Sequence, residues 1–250
     1  MRFTKMHGLG NDFIVVERGE LPPGVALDVL ARGLCDRHRG VGADGVLVLD
    51  GSDADGTHRL EIVNADGSRA SACGNGARCV ARYLGARESY LRTDAERVKV
   101  TWDGTLATVT LAAPRLGRRH LVPLAVGDTP VRLIDVGNPH AVVLGVPPDR
   151  VDLTAVARVL REHFGEANVG VVSLEARATL RLRVDERGVG ETLACGTGAC
   201  AAAAAARVEG WIGDEARVLL PGGELGVRFA GDAVVLSGAA AEVFRGEWIA

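Results

Sequence analysis

The residues best suited to chemistry are two cysteines in nearly identical surroundings. The segment around Cys73 reads ACGNGA, and the segment around Cys195 reads ACGTGA. Each cysteine stands where a strand and turn should meet a helix, and the glycines that follow leave the first helical N–H groups uncovered, which creates an anion site. The partial positive charge of a helix N-terminus should lower the pKa of a thiol from its usual value of about 8.5. Each segment therefore predicts an activated thiol beside a site for a carboxylate.

Two such thiols are suited to inversion at a carbon centre. If the two segments face each other about a pseudo-two-fold axis, Cys73 and Cys195 lie on opposite sides of a bound molecule. One cysteine, as thiolate, removes a proton from Cα, and the other, as thiol, returns a proton to the far face. The two thiols would share one proton, because the first negative charge raises the pKa of the second. We therefore expect a bell-shaped pH profile, with the carbanion stabilised as an enediolate by the helical N–H groups.

This chemistry needs no cofactor. A pyridoxal enzyme would need a Schiff-base lysine, and the chain contains only Lys5 and Lys99. Neither Cys73 nor Cys195 has a second cysteine at the CxxC spacing of a zinc site. We expect no cofactor and no metal. The remaining cysteines should pack in the core: Cys35, Cys79 and Cys200.

The cysteine segments belong to a longer internal repeat. Gly10–Val16 reads GNDFIVV and Gly137–Val143 reads GNPHAVV, and Ala43-Asp44 corresponds to Ala167-Asn168. Three matches occur in the same order at nearly constant spacing, which indicates a tandem duplication of a half of about 110 to 120 residues.

The sequences of the two halves predict the same order of strands and helices. Short apolar runs bounded by Gly or Asp indicate strands, and apolar residues at helical spacing indicate helices. The alanine run Ala201–Ala206 suits a helix buried on all sides. The proline-bearing stretch Ala113–Pro130 is the predicted linker. The predicted helices are Val25–Arg37, a segment from after Cys73 to Leu84, Leu153–Phe164 and Gly196–Glu209.

Composition excludes several classes of protein. The chain has 250 residues, of which 47% are hydrophobic and 24% charged, with a net charge of −3. These values are typical of a globular protein and indicate neither a nucleic-acid partner nor a membrane partner. No export signal and no apolar run of about 18 residues stands out. Five cysteines are few, and an odd number cannot all pair, so they do not indicate a disulfide framework and we expect a cytoplasmic protein. The balanced charge leaves a small molecule as the expected partner.

Six motifs in order carry a family resemblance. KMHGLGNDF, VNADGS, ACGNGARC, GNPHAVV, ERGVGET and ACGTGAC together resemble diaminopimelate epimerase, which inverts LL-2,6-diaminopimelate to the meso form without a cofactor. The resemblance implies an α+β fold of two pseudo-symmetric domains, each a β-sheet or barrel wrapped around a central helix. The domains would be 1–114, completed by about 238–250, and 115–237, with the active site in the cleft between them. It also implies a homodimer.

The resemblance also implies roles for individual residues. Cys73 and Cys195 would be the base and acid pair, and His140 with Glu186 would poise the thiols. Glu186 would also accept the reacting ammonium. A bidentate guanidinium and neutral amides suit the distal amino-acid end. The implied substrate contacts are Asn11, with Asn64, Asn138, Asn168 and Arg187 at the distal end. The implied helix-terminal groups that hold the reacting carboxylate are Gly74, Asn75, Gly196 and Thr197.

Some positions depart from the family pattern or allow simpler interpretations. Gly45 stands where some members have Gln, and Asp185 where Tyr often occurs. His140 could be a satisfied core histidine, and Glu186-Arg187 a solvated pair at a strand end. Two alternatives to the epimerase stay open: another cofactor-independent racemase acting on proline or hydroxyproline, or a non-catalytic thiol redox or metal-binding protein.

Overall fold

The computed structural model describes residues 1–70 and 73–249, so Ala72 of the first cysteine segment lies outside the described residues. The chain divides into two compact units. Unit 1 comprises Met1–Val109 and Gly238–Ala250, and unit 2 comprises Thr110–Ser237. None of the described helices has the length and apolar character needed to cross a membrane.

The described residues of unit 1 form two α-helices and a set of parallel and antiparallel strands. The helices are α1 (Leu27–Cys35) and α2 (Gly74–Leu84). The strands are β1 (Arg2–Gly8), β2 (Asn11–Glu17), β3 (Gly45–Ser52), β4 (Thr57–Asn64), β5 (Arg69–Ala70), β6 (Ser89–Arg92), β7 (Arg97–Trp102), β8 (Ala107–Ala112), which crosses the boundary, and the C-terminal strand β18 (Ala241–Glu247).

Unit 2 repeats this arrangement. Its helices are α3 (Leu153–Phe164) and α4 (Gly196–Val208). Its strands are β9 (Arg115–Leu124), β10 (Gly127–Asp135), β11 (Pro139–Leu144), β12 (Asn168–Ala176), β13 (Thr179–Glu186), β14 (Gly190–Thr192), β15 (Glu215–Leu220), β16 (Gly223–Ala230) and β17 (Ala233–Gly238).

The strand pairings confirm the duplication. In unit 1 the paired strands run β18, β1, β2, β3, β4, β6, β7. In unit 2 they run β9, β10, β11, β12, β13, β15, β16. Both ladders follow the same succession: antiparallel, antiparallel, parallel, antiparallel, parallel, antiparallel. Each unit is therefore the same α+β motif.

In each unit, two helices pack against the strands. In unit 1, Ile14 and Val16 of β2 face α1 in one apolar cluster, and α2 packs against β1, β2, β7 and β18. In unit 2, α4 packs against strands from β10 to β16, and Ala201–Ala206 are at most 3% exposed. The prediction of a helix buried on all sides is confirmed, because methyl side chains let six strands approach its backbone.

The predicted linker is wrong. Residues 115–124 and 127–135 form the β9–β10 hairpin, closed by the pair Leu124 and Gly127. Pro123 lies opposite Asp128, and Pro130 lies opposite Leu121. Next to a two-residue turn these are non-hydrogen-bonded pairs, in which neither strand needs the N–H that proline lacks. Proline therefore does not interrupt this ladder.

Candidate active site

Cys73 is the N-cap of α2. Its sulfur accepts a hydrogen bond from the backbone N–H of Gly76 at 3.2 Å. The sulfur thus satisfies one of the N–H groups that a helix N-terminus leaves without an intrahelical partner. The predicted position of this cysteine at a helix start is confirmed.

Cys195 occupies the equivalent N-cap of α4. Its sulfur accepts from the N–H of Gly198 at 3.4 Å and lies 3.6 Å from Thr197 Oγ1. A Cβ on Gly198 would stand 3.0 Å from a methyl of Val184 and 3.2 Å from the sulfur, and a Cβ on Gly76 would stand 3.0 Å from a methyl of Leu47. The second glycine of each CGxG segment therefore leaves room at the helix start for the sulfur and for a neighbouring strand, β3 at Gly76 and β13 at Gly198.

The expected fall in thiol pKa does not hold for Cys195. Burial raises the pKa of Cys195 well above its ordinary value, and the negative charge of Glu186 raises it further. The hydrogen bonds from Thr197 and Gly198 act in the opposite direction but are outweighed. The free-energy cost of removing the thiolate from water exceeds the stabilisation that the helix N-terminus gives it. Cys195 is therefore a thiol, not a thiolate, in this state.

Glu186→Gln should lower the pKa of Cys195. The change removes the negative charge that favours the protonated sulfur, so the thiolate fraction at a given alkaline pH should rise. Thiolate absorbance near 240 nm, titrated in Glu186→Gln and in a Glu186→Gln/Cys195→Ala double variant, isolates this residue. Equal titration curves for Cys195 with and without the Glu186 carboxylate would contradict the assignment.

A row of polar groups surrounds the start of α4. Asn138 Nδ2 lies 3.4 Å from Thr197 Oγ1, and His140 Nε2 lies 3.1 Å from Asn138 Oδ1. Glu186 accepts a hydrogen bond from the Thr192 hydroxyl at 2.6 Å. The predicted residues Asn138, His140, Glu186, Cys195 and Thr197 thus form one cluster in unit 2. Thr192, in the ERGVGET motif, is an additional member.

His140 lies behind Asn138 and is only 1% exposed. Burial lowers the pKa of His140 to about 4, with the Asp135 charge partly opposing this shift. The ring is therefore neutral near pH 7 and orients the Asn138 amide.

The buried neutral ring makes stability depend on pH. Between the folded pKa of about 4 and the unfolded value near 6.5, the unfolded chain binds more protons, so stability is complete above that range and falls as the pH drops. From pH 8 to pH 5 this one group should cost about 2 kcal/mol. Urea unfolding at both pH values, in the native protein and in His140→Gln, measures the difference. An equal loss in both proteins would rule out His140 as the cause.

Asn168 and Arg187 meet at the ends of β12 and β13. The Asn168 carbonyl oxygen accepts the backbone N–H of Arg187 at 2.9 Å. Behind them, Arg161 of α3 bonds the Asp185 carboxylate at 2.6 Å and the carbonyl of Ala167 at 3.1 Å. Asp185 is buried, and its ion pair with Arg161 makes a buried carboxylate tolerable at a position where family members often have tyrosine. The Arg187 guanidinium is exposed and forms no ion pair within residues 1–70 and 73–249.

Unit 1 carries a second polar cluster around the start of α2. Asn75 Nδ2 donates to Asn11 Oδ1 at 3.1 Å, and Asn11 Nδ2 donates to Asp44 Oδ2 at 2.7 Å. The buried Arg78 donates to Asn75 Oδ1 at 2.8 Å. Sequence reasoning missed Arg78 and the role of Asp44, although both lie inside motifs it had singled out. Asn64 stands apart from this chain of bonds, because its amide donates to Ser68 at 2.9 Å.

Gly45 opens β3 between Phe13 and Asn64. A Cβ at this position would come 2.9 Å from the Val63 carbonyl oxygen. In this chain the two strands are therefore too close for the glutamine that some family members carry. The side-chain contact it would supply is absent here.

Two of the remaining cysteines behave as core residues. Burial raises the pKa of Cys35 to about 11 and that of Cys79 to about 12. Among the described residues, no three His, Cys, Asp or Glu side chains converge as metal ligands do.

Solved structures share this fold. A phenazine biosynthesis protein of the PhzF family from Bacillus anthracis superposes with a TM-score of 0.77 at 15% identity, covering 100% of this chain and 99% of its own. A probable proline racemase from Agrobacterium radiobacter superposes with a TM-score of 0.73 at 18% identity, covering 99% and 92%. These likenesses show a shared fold over nearly the whole chain.

Sequence comparison is more specific. The family model for diaminopimelate epimerase matches residues 3–114 and 132–243, one match in each half. The diaminopimelate epimerase of Xanthomonas campestris pv. campestris is 42% identical over 99% of this chain and 96% of its own. The chain belongs to the diaminopimelate epimerase family and is an isomerase.

Proposed function

We propose that this protein epimerises LL-2,6-diaminopimelate to meso-diaminopimelate by a two-thiol mechanism. The observation that carries the proposal is the equivalent placement of Cys73 and Cys195, each the N-cap of a helix with its sulfur accepting a backbone N–H. Family membership at 42% identity supports the substrate.

The proposed reaction moves one proton in each direction. The Cys73 thiolate takes the proton from Cα and becomes a thiol, and the electron pair left behind forms the enediolate of the substrate carboxylate. Cys195 then gives its proton to the opposite face and becomes a thiolate. Burial and the Glu186 charge favour the protonated form of Cys195, which supports its role as the acid in this direction. The reverse reaction exchanges the two roles.

Backbone groups and side chains divide the binding. The N–H groups at the starts of α2 and α4 (Gly74, Asn75, Gly196, Thr197) would stabilise the negative charge of the enediolate. Glu186 would accept the reacting ammonium. The exposed Arg187 guanidinium would grip the distal carboxylate with the help of the Asn64, Asn138 and Asn168 amides. A shorter amino acid would leave these groups unpaired, which would discriminate against it.

The decisive experiment is incubation of the purified, reduced protein with LL-diaminopimelate in heavy water, without pyridoxal phosphate or added metal. We expect the meso isomer, with deuterium at one Cα. L-proline and hydroxyproline serve as parallel substrates. Turnover of these instead of diaminopimelate would favour the racemase alternative, and stoichiometric zinc binding without turnover would favour the binding-protein alternative.

We further propose a cytoplasmic homodimer that acts in lysine and cell-wall precursor biosynthesis. Cytoplasmic conditions keep the thiols reduced, as the mechanism requires. A molar mass of two chains, measured by light scattering, would support the dimer. A molar mass of one chain at micromolar concentration would contradict it.

A further inference from the structure

Four side chains of unit 1 form a hydrogen-bond chain with one direction. It begins at the guanidinium of Arg78, passes through the amides of Asn75 and Asn11, and ends at the carboxylate of Asp44. Each amide accepts with its oxygen from the cationic side and donates with its nitrogen to the anionic side. A flipped amide would set N–H against guanidinium or C=O against carboxylate, so the two ends determine both amide orientations.

Both ends of the chain are held in place. Arg78 is completely buried, and a Cβ on Gly8 would come 3.2 Å from its Nη2, so this glycine lets β1 lie against the guanidinium. Asp44 also accepts the Arg37 guanidinium at 2.8 Å and the backbone N–H of Asp12 at 3.1 Å. Neither end can rotate without breaking several bonds.

The orientation decides what Asn11 can offer to a ligand. Its oxygen is occupied by Asn75, and one N–H is occupied by Asp44. Within residues 1–70 and 73–249 its second N–H has no hydrogen-bond partner, and the side chain is partly exposed. Asn11 can therefore donate a hydrogen bond to an anion but is poorly placed to accept one from an ammonium.

We propose that Asp44 and Arg78 are positioning residues that orient the amides of Asn11 and Asn75 as hydrogen-bond donors, so that this end of the site selects the carboxylate of the substrate over its ammonium. This inference rests on the proposed function, because it assumes that Asn11 contacts an amino-acid substrate. Asp44 and Arg78 act on the substrate indirectly, through the amides that they orient.

Asp44→Asn tests the proposal, because charge and orientation predict opposite results. Removing a negative charge near a bound carboxylate should by itself tighten binding. Losing the fixed donor orientation of Asn11 should weaken it. We expect KM for diaminopimelate to rise roughly five- to tenfold, with kcat within twofold of the native value.

Asp28→Asn is the matched control. It makes the same chemical change in unit 1, at an aspartate whose ion pair is with the exposed Arg32 on the same helix, α1. Its KM should be unchanged. A KM in Asp44→Asn that is unchanged or lower than native would overturn the proposal.

A readout without turnover separates this inference from the proposed function. In the ligand-free protein, the Asn11 N–H that donates to Asp44 and the Asn75 N–H that donates to Asn11 should exchange slowly with solvent. This protection should be lost in Asp44→Asn but kept in Asp28→Asn. Equal protection in the native protein and Asp44→Asn would overturn the inference even in an active enzyme. An inactive native protein with this protection pattern would refute the substrate assignment and leave the amide orientation supported.

Discussion

Cys195→Ala is expected to abolish net epimerisation, with kcat falling about 10³-fold or more, because no other group is proposed to return a proton to the far face of Cα. Cys73→Ala should have an equally large effect. Each single variant keeps one thiol, so each should still exchange deuterium into one epimer without inverting it. Chiral chromatography measures inversion, and proton NMR in heavy water measures exchange.

The same helices provide matched controls. Cys79 and Cys200 are buried within α2 and α4, several residues beyond the two N-caps. Cys79→Ala and Cys200→Ala make the same chemical change away from the proposed reacting atoms and should retain near-native turnover. Near-native inversion by Cys195→Ala, or deuterium exchange into both epimers by a single variant, would refute the two-thiol mechanism.

Arg187→Ala should raise KM for diaminopimelate about 100-fold with a smaller change in kcat. A bidentate guanidinium and carboxylate pair is worth about 3 kcal/mol where water is excluded, and it acts on the end of the substrate that does not react. Arg187→Lys should recover part of the affinity, because it keeps the charge but not the planar pair of donors. Steady-state kinetics and the thermal midpoint together measure binding and folding.

Arg181→Ala is the control for Arg187. Arg181 lies on β13, the strand that ends at the residue before Arg187, and pairs with Glu175. Its removal should change neither KM nor kcat. Because Arg187 is exposed, its own removal should leave the thermal midpoint nearly unchanged. An unaltered KM in Arg187→Ala would show that the distal carboxylate binds elsewhere.

Elements with strong local periodicity were predictable. Leu153–Phe164 has the predicted bounds, and α4 ends one residue before the predicted Glu209. Glycine at the start of α2 and α4, and apolar spacing along α3, are local properties that the chain carries whatever packs around it. The repeat of the cysteine segments likewise predicted two equivalent helix starts.

Strands without an apolar pattern were missed. β9 reads RLGRRHLVPL and is mostly exposed, so it has no alternating apolar pattern, and its one proline, Pro123, argues against a strand. β1 carries Lys5, which is buried and pairs with Asp12 at 2.5 Å while also donating to the carbonyl of Gly42. Asp12, which makes burial of this charge tolerable, lies on the neighbouring strand β2, and no local sequence pattern around Lys5 predicts this pairing.

By itself, the sequence singled out the candidate residues for the chemistry and determined where each stands relative to its own helix or strand, since capping and glycine placement act over a few neighbouring residues. Only the tertiary structure decided the electrostatics: that Cys195 holds its proton, that His140 is neutral, and that Arg78 and Asp44 orient two amides. The physical reason is that desolvation and hydrogen-bond partnership depend on which distant segments surround a group.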